Sequence, residues 1–511
     1  MNEVKSHDGM LARGRRWRLA VAAGSGAIAA AAGSLAGAGG SLAAPVVFHP
    51  TVAEWQQMTT STTPPTEAQC ESVGRRCFTP QAIQSAYDVG PLYANGINGQ
   101  GVTIAIVDSY GSDTITHDLH VFDQAFGLQP MCGEEGVTCA SGMPTFSQFH
   151  LQGSPATKAP PSTSNGTGQE DKSAWALEVS LDVETAHAMA PMANILLVTT
   201  PTAETLGVQG FPDMMNAEQY VIDHHMANVI SQSFASAEDA FGSAQSLQNL
   251  RHAFVSAAQN GVTVLGSSGD SGSANTQKQP VGQGGSQINE PTVEWPASDP
   301  LVTGVGGTYL CTDPTASTDQ PRTTVSGIPP AKCEANPGQS EVGWTFSGGG
   351  FSHVFGKPAY QGTLPAGSTA IGSMRGVPDV GLQASAGSGA LVYISLPNDG
   401  NSGLICGSSP CSTGWFDIGG TSLSCPQWAA MVALADQVAG HGLGLINPAL
   451  YTIGADSTMY ANDFFDVVTG NNTEPGSGVP GYPATTGWDP VTGLGTPNAA
   501  NLVPDLVANS H

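Results

Sequence analysis

From about residue 100 the chain alternates between short runs that are apolar at every position and longer stretches of helical length. Val102–Val107, Ile195–Thr199, Val229–Ser231, Val262–Gly266 and Leu301–Val305 are of the first kind. They are rich in Val, Ile and Leu on both faces, as strands buried inside a parallel sheet are. Helices are predicted around Trp175–Ala190, Asp213–Met226 and Ser246–Asn260. Strand and helix in turn predict an α/β layered fold. Polar insertions at about 141–173, 272–292, 312–342 and 396–414 read as surface loops, and no internal repeat is visible.

The ends of the chain follow other patterns. Arg13-Gly-Arg-Arg-Trp-Arg18, an Ala/Gly-rich apolar stretch and small residues near Ala38 to Ala44 read as an export signal over residues 1–44. The Arg15-Arg16 pair loosely resembles a twin-arginine signal. A membrane anchor is the other reading, but Ala and Gly are weakly apolar for a span. Residues 45–77 are Thr/Pro/Ser-rich without periodicity and read as an extension or linker, far shorter than a self-standing domain. The core therefore runs from Phe78 to residue 511.

Composition narrows the partners. At 511 residues with 40% hydrophobic content the chain can bury a large core. It carries 41 Asp+Glu against 15 Lys+Arg, and five of the basic residues lie in the first 18 positions. Nucleic acid and anionic membranes are poor partners for such a surface, whereas low pH suits it. Cysteines sit in short-range pairs, Cys70/Cys77, Cys132/Cys139, Cys311/Cys333 and Cys406/Cys411, with Cys425 left over. That spacing agrees with export and disulfides.

Three constellations carry candidate chemistry. Glu178 and Asp182 stand four apart on a predicted helix and share one face with Trp175, Val179, Ala186 and Met189. An exposed acidic face is the commoner fate of such a pair. Packed inward, at least one carboxyl would hold a proton and have a raised pKa. Next, Gly266-Ser-Ser-Gly-Asp270-Ser271-Gly272 ends a predicted strand. Gly-Asp-Ser-Gly resembles the nucleophile region of trypsin-like proteases, but those are all-β and need a histidine segment that is absent. The other reading makes Asp270 a protonated acid donating to a developing oxyanion. Third, Gly419-Gly-Thr-Ser422 followed by Pro426 looks like a nucleophile turn opening a helix, the alternative being an ordinary serine cap. None of the twelve histidines stands in a His-Gly-Thr helix start. A serine served by carboxylates implies hydrolysis in acid, since imidazole with a pKa near ~6.5 is protonated there while glutamate near ~4.3 still accepts a proton.

Together with Gly101-Val-Thr-Ile-Ala-Ile-Val-Asp108, Leu181-Asp-Val-Glu-Thr-Ala-His187, Ile230-Ser-Gln-Ser-Phe234, Ser347-Gly-Gly-Gly-Phe-Ser352 and Arg375-Gly-Val-Pro-Asp-Val380, these motifs resemble the sedolisin family of serine-carboxyl peptidases. The similarity runs from about Phe78 to Asn498. It implies a subtilisin-like fold with a predominantly parallel central sheet flanked by helices, and a secreted endopeptidase. The competing reading is a secreted binding or scaffold protein that keeps the fold without catalysis. Carried over, Ser422 is the nucleophile, Glu178 the general base, Asp182 its orienting partner and Asp270 the oxyanion donor. Asp108 reads as a strand-end structural residue, and Phe234 stands where relatives often have tryptophan. The resemblance also implies one structural calcium ion held by Asp466 and Asp489 with the carbonyls of Val467, Thr485 and Gly487. Thr485 stands where the family often has glycine. Protein or peptide substrates and a monomer are expected.

Overall fold

The computed structural model describes residues 49–50, 54–151, 169–201, 210–277, 286–318, 331–395, 405–406, 409–410 and 413–510. The export signal, Cys411 and much of each predicted insertion lie outside the described residues. Two short strands come first, β1 (His49–Pro50) and β2 (Glu54–Thr59). The strands that follow are β3 (Thr103–Ser109), β4 (Phe146–His150), β5 (Asn194–Thr200), β6 (Val229–Gln232), β7 (Phe234–Ala237) and β8 (Thr263–Ser267). After them come β9 (Thr303–Leu310), β10 (Glu341–Gly343), β11 (Val380–Gln383), β12 (Ala390–Ser395) and β13 (Thr413–Gly419).

An eight-stranded sheet runs β10-β9-β8-β6-β3-β5-β4, with β11 also on β9. Every pairing in it is parallel except that of β10, which closes an edge antiparallel to β9. The helices used below are α1 (Ile115–Phe126), α2 (Gln169–Met189), α3 (Gly210–Asp223), α4 (His252–Asn260), α5 (Thr421–Ala439) and α6 (Ala499–Asn509). Strand alternation explains why the strands are apolar on both faces. Ile104 and Ile106 of β3 join one core with α2 and α5, while Ala105 and Val107 join another with α3 and α4.

Three sequence expectations shift. The helix expected over Ser246–Asn260 is two pieces, Ala244–Gln248, capped by the Ser243 hydroxyl on Ser246 N, and α4. The inward face expected for α2 is instead a helix buried on all sides from Trp175 to Met189, because α5 and the sheet cover it together. The stretch read as an extension is paired into the fold, β1 on β7 and β2 on β13. Among the described residues, disulfides join Cys70–Cys77, Cys132–Cys139 and Cys311–Cys333. Cys425 is free and buried, and burial pushes its thiol up to about 12, so it is an inert small side chain.

Candidate active site

The Gly419–Ser422 turn, the candidate nucleophile turn, is shaped by backbone demands. Gly420 has φ 148°, in the region that favours glycine, and a Cβ at Gly419 would run into the backbone nitrogen of Ala386. β13 thus enters α5 through a corner that no side chain could share. Gly420 is the N-cap and makes no side-chain cap bond, so Ser422 lies within the first turn and is not the cap. Pro426, expected at the first turn, sits inside the helix. Lacking an N–H, it leaves the Ser422 carbonyl without its usual intrahelical donor.

Glu178 and Asp182 face this turn from α2, both fully buried. The Ser422 hydroxyl acts on Glu178 as a hydrogen-bond donor, although neither Glu178 oxygen meets strict hydrogen-bond geometry. Catalytic hydrogen bonds commonly tighten only when substrate is present. Ser233, just after β6, donates to Asp182 Oδ1 at 3.0 Å, and its hydroxyl is near enough to Glu178 to act on it in the lowering direction. Burial first, and neighbouring carboxylates second, push both Glu178 and Asp182 well above the usual range.

Asp108 is the neighbouring charge that acts most strongly on each of the two. It is itself fully buried, neither oxygen makes a hydrogen bond to a described residue, and burial pushes it up to about 8. It stands at the end of β3, as expected, and adds a third buried carboxyl to the charges acting on this pair. Parity could have found it, since residue 108 shares the face of Ile104 and Ile106, the side on which α2 lies.

Asp270 reaches the turn from the loop after β8. Its Oδ1 accepts from Thr421 N at 2.7 Å and Thr421 Oγ1 at 3.0 Å, while Oδ2 is buried and makes no hydrogen bond to a described residue. Burial, with Glu294 adding a like charge, holds Asp270 well above the usual range. A protonated Oδ2 would therefore be an unspent donor beside Ser422. Thr421 Oγ1 also accepts from Gly269 N at 3.0 Å, which ties the two loops together. Thr421 and Ser233 lie inside the Gly419-Gly-Thr-Ser422 and Ile230-Ser-Gln-Ser-Phe234 motifs and Glu294 lies in none, but for all three only the contacts show a part in the site. Phe234 is fully buried, its ring 6.3 Å from that of Phe211.

No family model matches the chain. Kumamolisin of Bacillus sp. (strain MN-32) is 31% identical over 450 residues, covering 87% of this chain and 66% of its own length. Sedolisin of Pseudomonas sp. (strain 101) is 30% identical over 297 residues, 57% of this chain and 43% of that protein. The chain belongs to the sedolisin family. Tripeptidyl-peptidase 1 of Homo sapiens is similar to this chain too, 29% identical over 362 residues, 66% of this chain and 53% of its own. The chain thus spans between about two fifths and two thirds of these curated relatives. A solved structure of Pseudomonas sedolisin, a serine-carboxyl proteinase complexed with two molecules of pseudo-iodotyrostatin, superposes with TM-score 0.60 at 24% identity. It covers 86% of this chain and 100% of that one, which establishes the sedolisin, subtilisin-like fold.

Proposed function

We propose that the protein is a secreted endopeptidase acting in acid, with Ser422 as nucleophile, Glu178 as general base, Asp182 as its orienting partner and Asp270 as oxyanion donor. The reading is supported by the burial of Ser422, Glu178, Asp182 and Asp270 together around one glycine corner, with the Ser422 hydroxyl close enough to Glu178 to lower its pKa. Among the described residues no histidine figures among the groups named as acting on Glu178, Asp182 or Asp270. In the forward step Ser422 Oγ adds to the scissile carbonyl as its proton passes to Glu178, with Asp182 and Ser233 holding that carboxyl in place. Asp270 Oδ2–H donates to the oxygen that becomes negative. The proton then goes to the departing amine, and water releases the acyl group. Export is supported by the three disulfides and by the residues 1–44 pattern. No described helix is long and apolar enough to cross a membrane.

The test is a pH–rate profile for peptide hydrolysis. Activity should peak well below neutral and fall as Asp270 ionises. Asp270→Ala should lose about 10²-fold in kcat, the usual worth of one oxyanion donor. Asp270→Asn keeps a donor that does not titrate, so its alkaline limb should extend to higher pH. A wild-type maximum near pH 8 would exclude the carboxylate mechanism.

Calcium fits the C-terminal loops. Among the described residues no group of three or more His, Cys, Asp or Glu is arranged for a metal, so any ion there depends on carbonyls. Two carboxylates do converge: the Tyr460 phenol is pushed up first by burial and then by both Asp466 and Asp489. Gly487 N donates to both Asp466 oxygens at 3.1 and 3.0 Å, and Thr485 N to Asp489 Oδ2 at 3.0 Å. The carbonyls of Val467, Thr485 and Gly487 accept no hydrogen bond from a described residue. Hard oxygens of this kind suit calcium, which would neutralise the carboxylates and clamp the two loops. Chelation at pH about 6 should lower the melting temperature by several degrees, since an ion at a thousand times its Kd contributes ~4 kcal/mol. An unchanged melting temperature would count against the site.

A further inference from the structure

We infer that Arg75 is a positioning residue for Ser422, its guanidinium fixing the strand and the turn between which the nucleophile corner is held. The role rests on the peptidase reading above for its reaction and on hydrogen bonds for its geometry.

Asp417 stands near the end of β13, just ahead of the Gly419-Gly420 corner, and is fully buried. Arg75 Nη1 donates to its Oδ2 at 2.9 Å. The same nitrogen donates to the carbonyl of Ala386 at 3.0 Å, and Nε donates to Gln56 Oε1 at 2.8 Å. Gln56 lies opposite Asp417 where β2 pairs with β13. One side chain thus joins three segments that are far apart in sequence: β2, the end of β13 and the turn at Ala386. That turn is the other jaw of the corner. Gly420 N donates to the Ala384 carbonyl at 2.6 Å, and Gly419 lies so close to Ala386 that a Cβ would strike its backbone. Gly389, at the end of the same turn, likewise has no room for a Cβ against the Asp417 carboxyl. A shift of Ala386 or of Asp417 is therefore passed to Gly420, and from there to Ser422 in the first turn of α5.

Arg75 is itself fixed on both sides. The Cys70–Cys77 disulfide closes the loop that carries it, and Arg75 N donates to the Cys70 carbonyl at 3.0 Å. Beyond it, Arg76 N donates to the Gly387 carbonyl at 3.1 Å and Phe78 N to that of Gly389 at 3.0 Å, so the backbone runs along the turn that the side chain grips. A planar guanidinium presents its donors at set angles and holds several acceptors at once, which an ammonium on a flexible stem does not. Two separable effects follow from removing it. Asp417 would be left as a buried carboxylate without its cation, which lowers stability. The corner would lose its brace, and a reacting group misplaced by ~1 Å can cost about 10²-fold in rate. The first effect depends on charge and the second on shape.

The test compares kcat, KM and melting temperature in full-length variants. Arg75→Gln should lower kcat for peptide hydrolysis by about tenfold or more, with KM within about twofold of wild type, and should also melt earlier. Adding Asp417→Asn removes the unpaired charge, so the double variant should regain most of the lost melting temperature while kcat stays low. Should Arg75→Gln fail to fold, Arg75→Lys keeps a cation beside Asp417 without the fork, and its kcat should fall while its melting temperature holds. Hydrogen exchange on the same proteins should show the Gly420 and Thr421 amides exchanging about tenfold faster, with those of β3 and β6 unchanged. A folded variant with wild-type kcat, or a double variant whose kcat returns together with its melting temperature, overturns the inference and leaves the peptidase reading standing. Wild type that hydrolyses no peptide overturns the peptidase reading. Faster exchange confined to Gly420 and Thr421 would then still uphold Arg75 as the brace of that corner, and unchanged exchange would overturn the brace as well.

Discussion

Ser422→Ala should lower kcat/KM for an unfolded protein substrate at pH about 4 by about 10⁴-fold or more, with Glu178→Gln close behind. Serine is a weak nucleophile at this pH unless a base takes its proton during attack, and Glu178 is the group the Ser422 hydroxyl acts on. Glutamine keeps the shape of the glutamate but accepts no proton from Ser422. Because the two residues act as a unit, the double variant should be little worse than either single one. Asp182→Asn should be milder, on the order of 10²-fold, because Ser233 still holds Glu178. Circular-dichroism melting must show the variants folded. Residual activity within tenfold of wild type for Ser422→Ala would remove Ser422 from the mechanism.

The melting temperature should fall by about 10 °C as pH rises from 4 to 8, measured with calcium held saturating. Burial pushes Asp118 up to about 6 and Glu134, Asp108 and Asp436 up to about 8. Away from the candidate site, Glu184 and Glu218 are raised well above the usual range by the same cause. Unfolded, these groups titrate near ~4. Each folded-state pKa is raised, so the stability it contributes is fully present below about 4 and is lost as pH climbs, through about 6 for Asp118 and about 8 for Glu134, Asp108 and Asp436. A tenfold difference in acidity between the folded and unfolded chain is worth ~1.4 kcal/mol, and several buried acids act in the same direction. A net charge of −26 at pH 7 adds self-repulsion on the alkaline side. A melting temperature that is flat or rises over this range would contradict the buried-acid account.

Much of this site could be read from residue order, and the reasons are physical. The i,i+4 spacing of Glu178 and Asp182 survives in any helix, so only its surroundings were open; α5 and the sheet enclose it on all sides. The double glycine before Thr421 is demanded by a positive φ and by the approach of Ala386, which makes it a legible mark. Asp108 was harder. Its role depends on which face of β3 meets α2, a fact that periodicity fixes only once the layers are known. Ser233 and Glu294 were illegible because a buried serine or glutamate announces its partner by position in space and by nothing nearby in sequence. The N-terminal strands were hidden for a similar reason: β1 and β2 draw their partners from β7 and β13, far along the chain, and so leave no local pattern.

Gln57 donates to the carbonyl of Thr413, a residue 356 positions later. A ribosome must therefore have delivered the 356 residues in between before β2 can find the strand leading to Ser422. Contacts of such long sequence separation form late and slowly. Synthesis order thereby acts as a safety catch: a half-made chain holds the acids of α2 but has no nucleophile in register to use them.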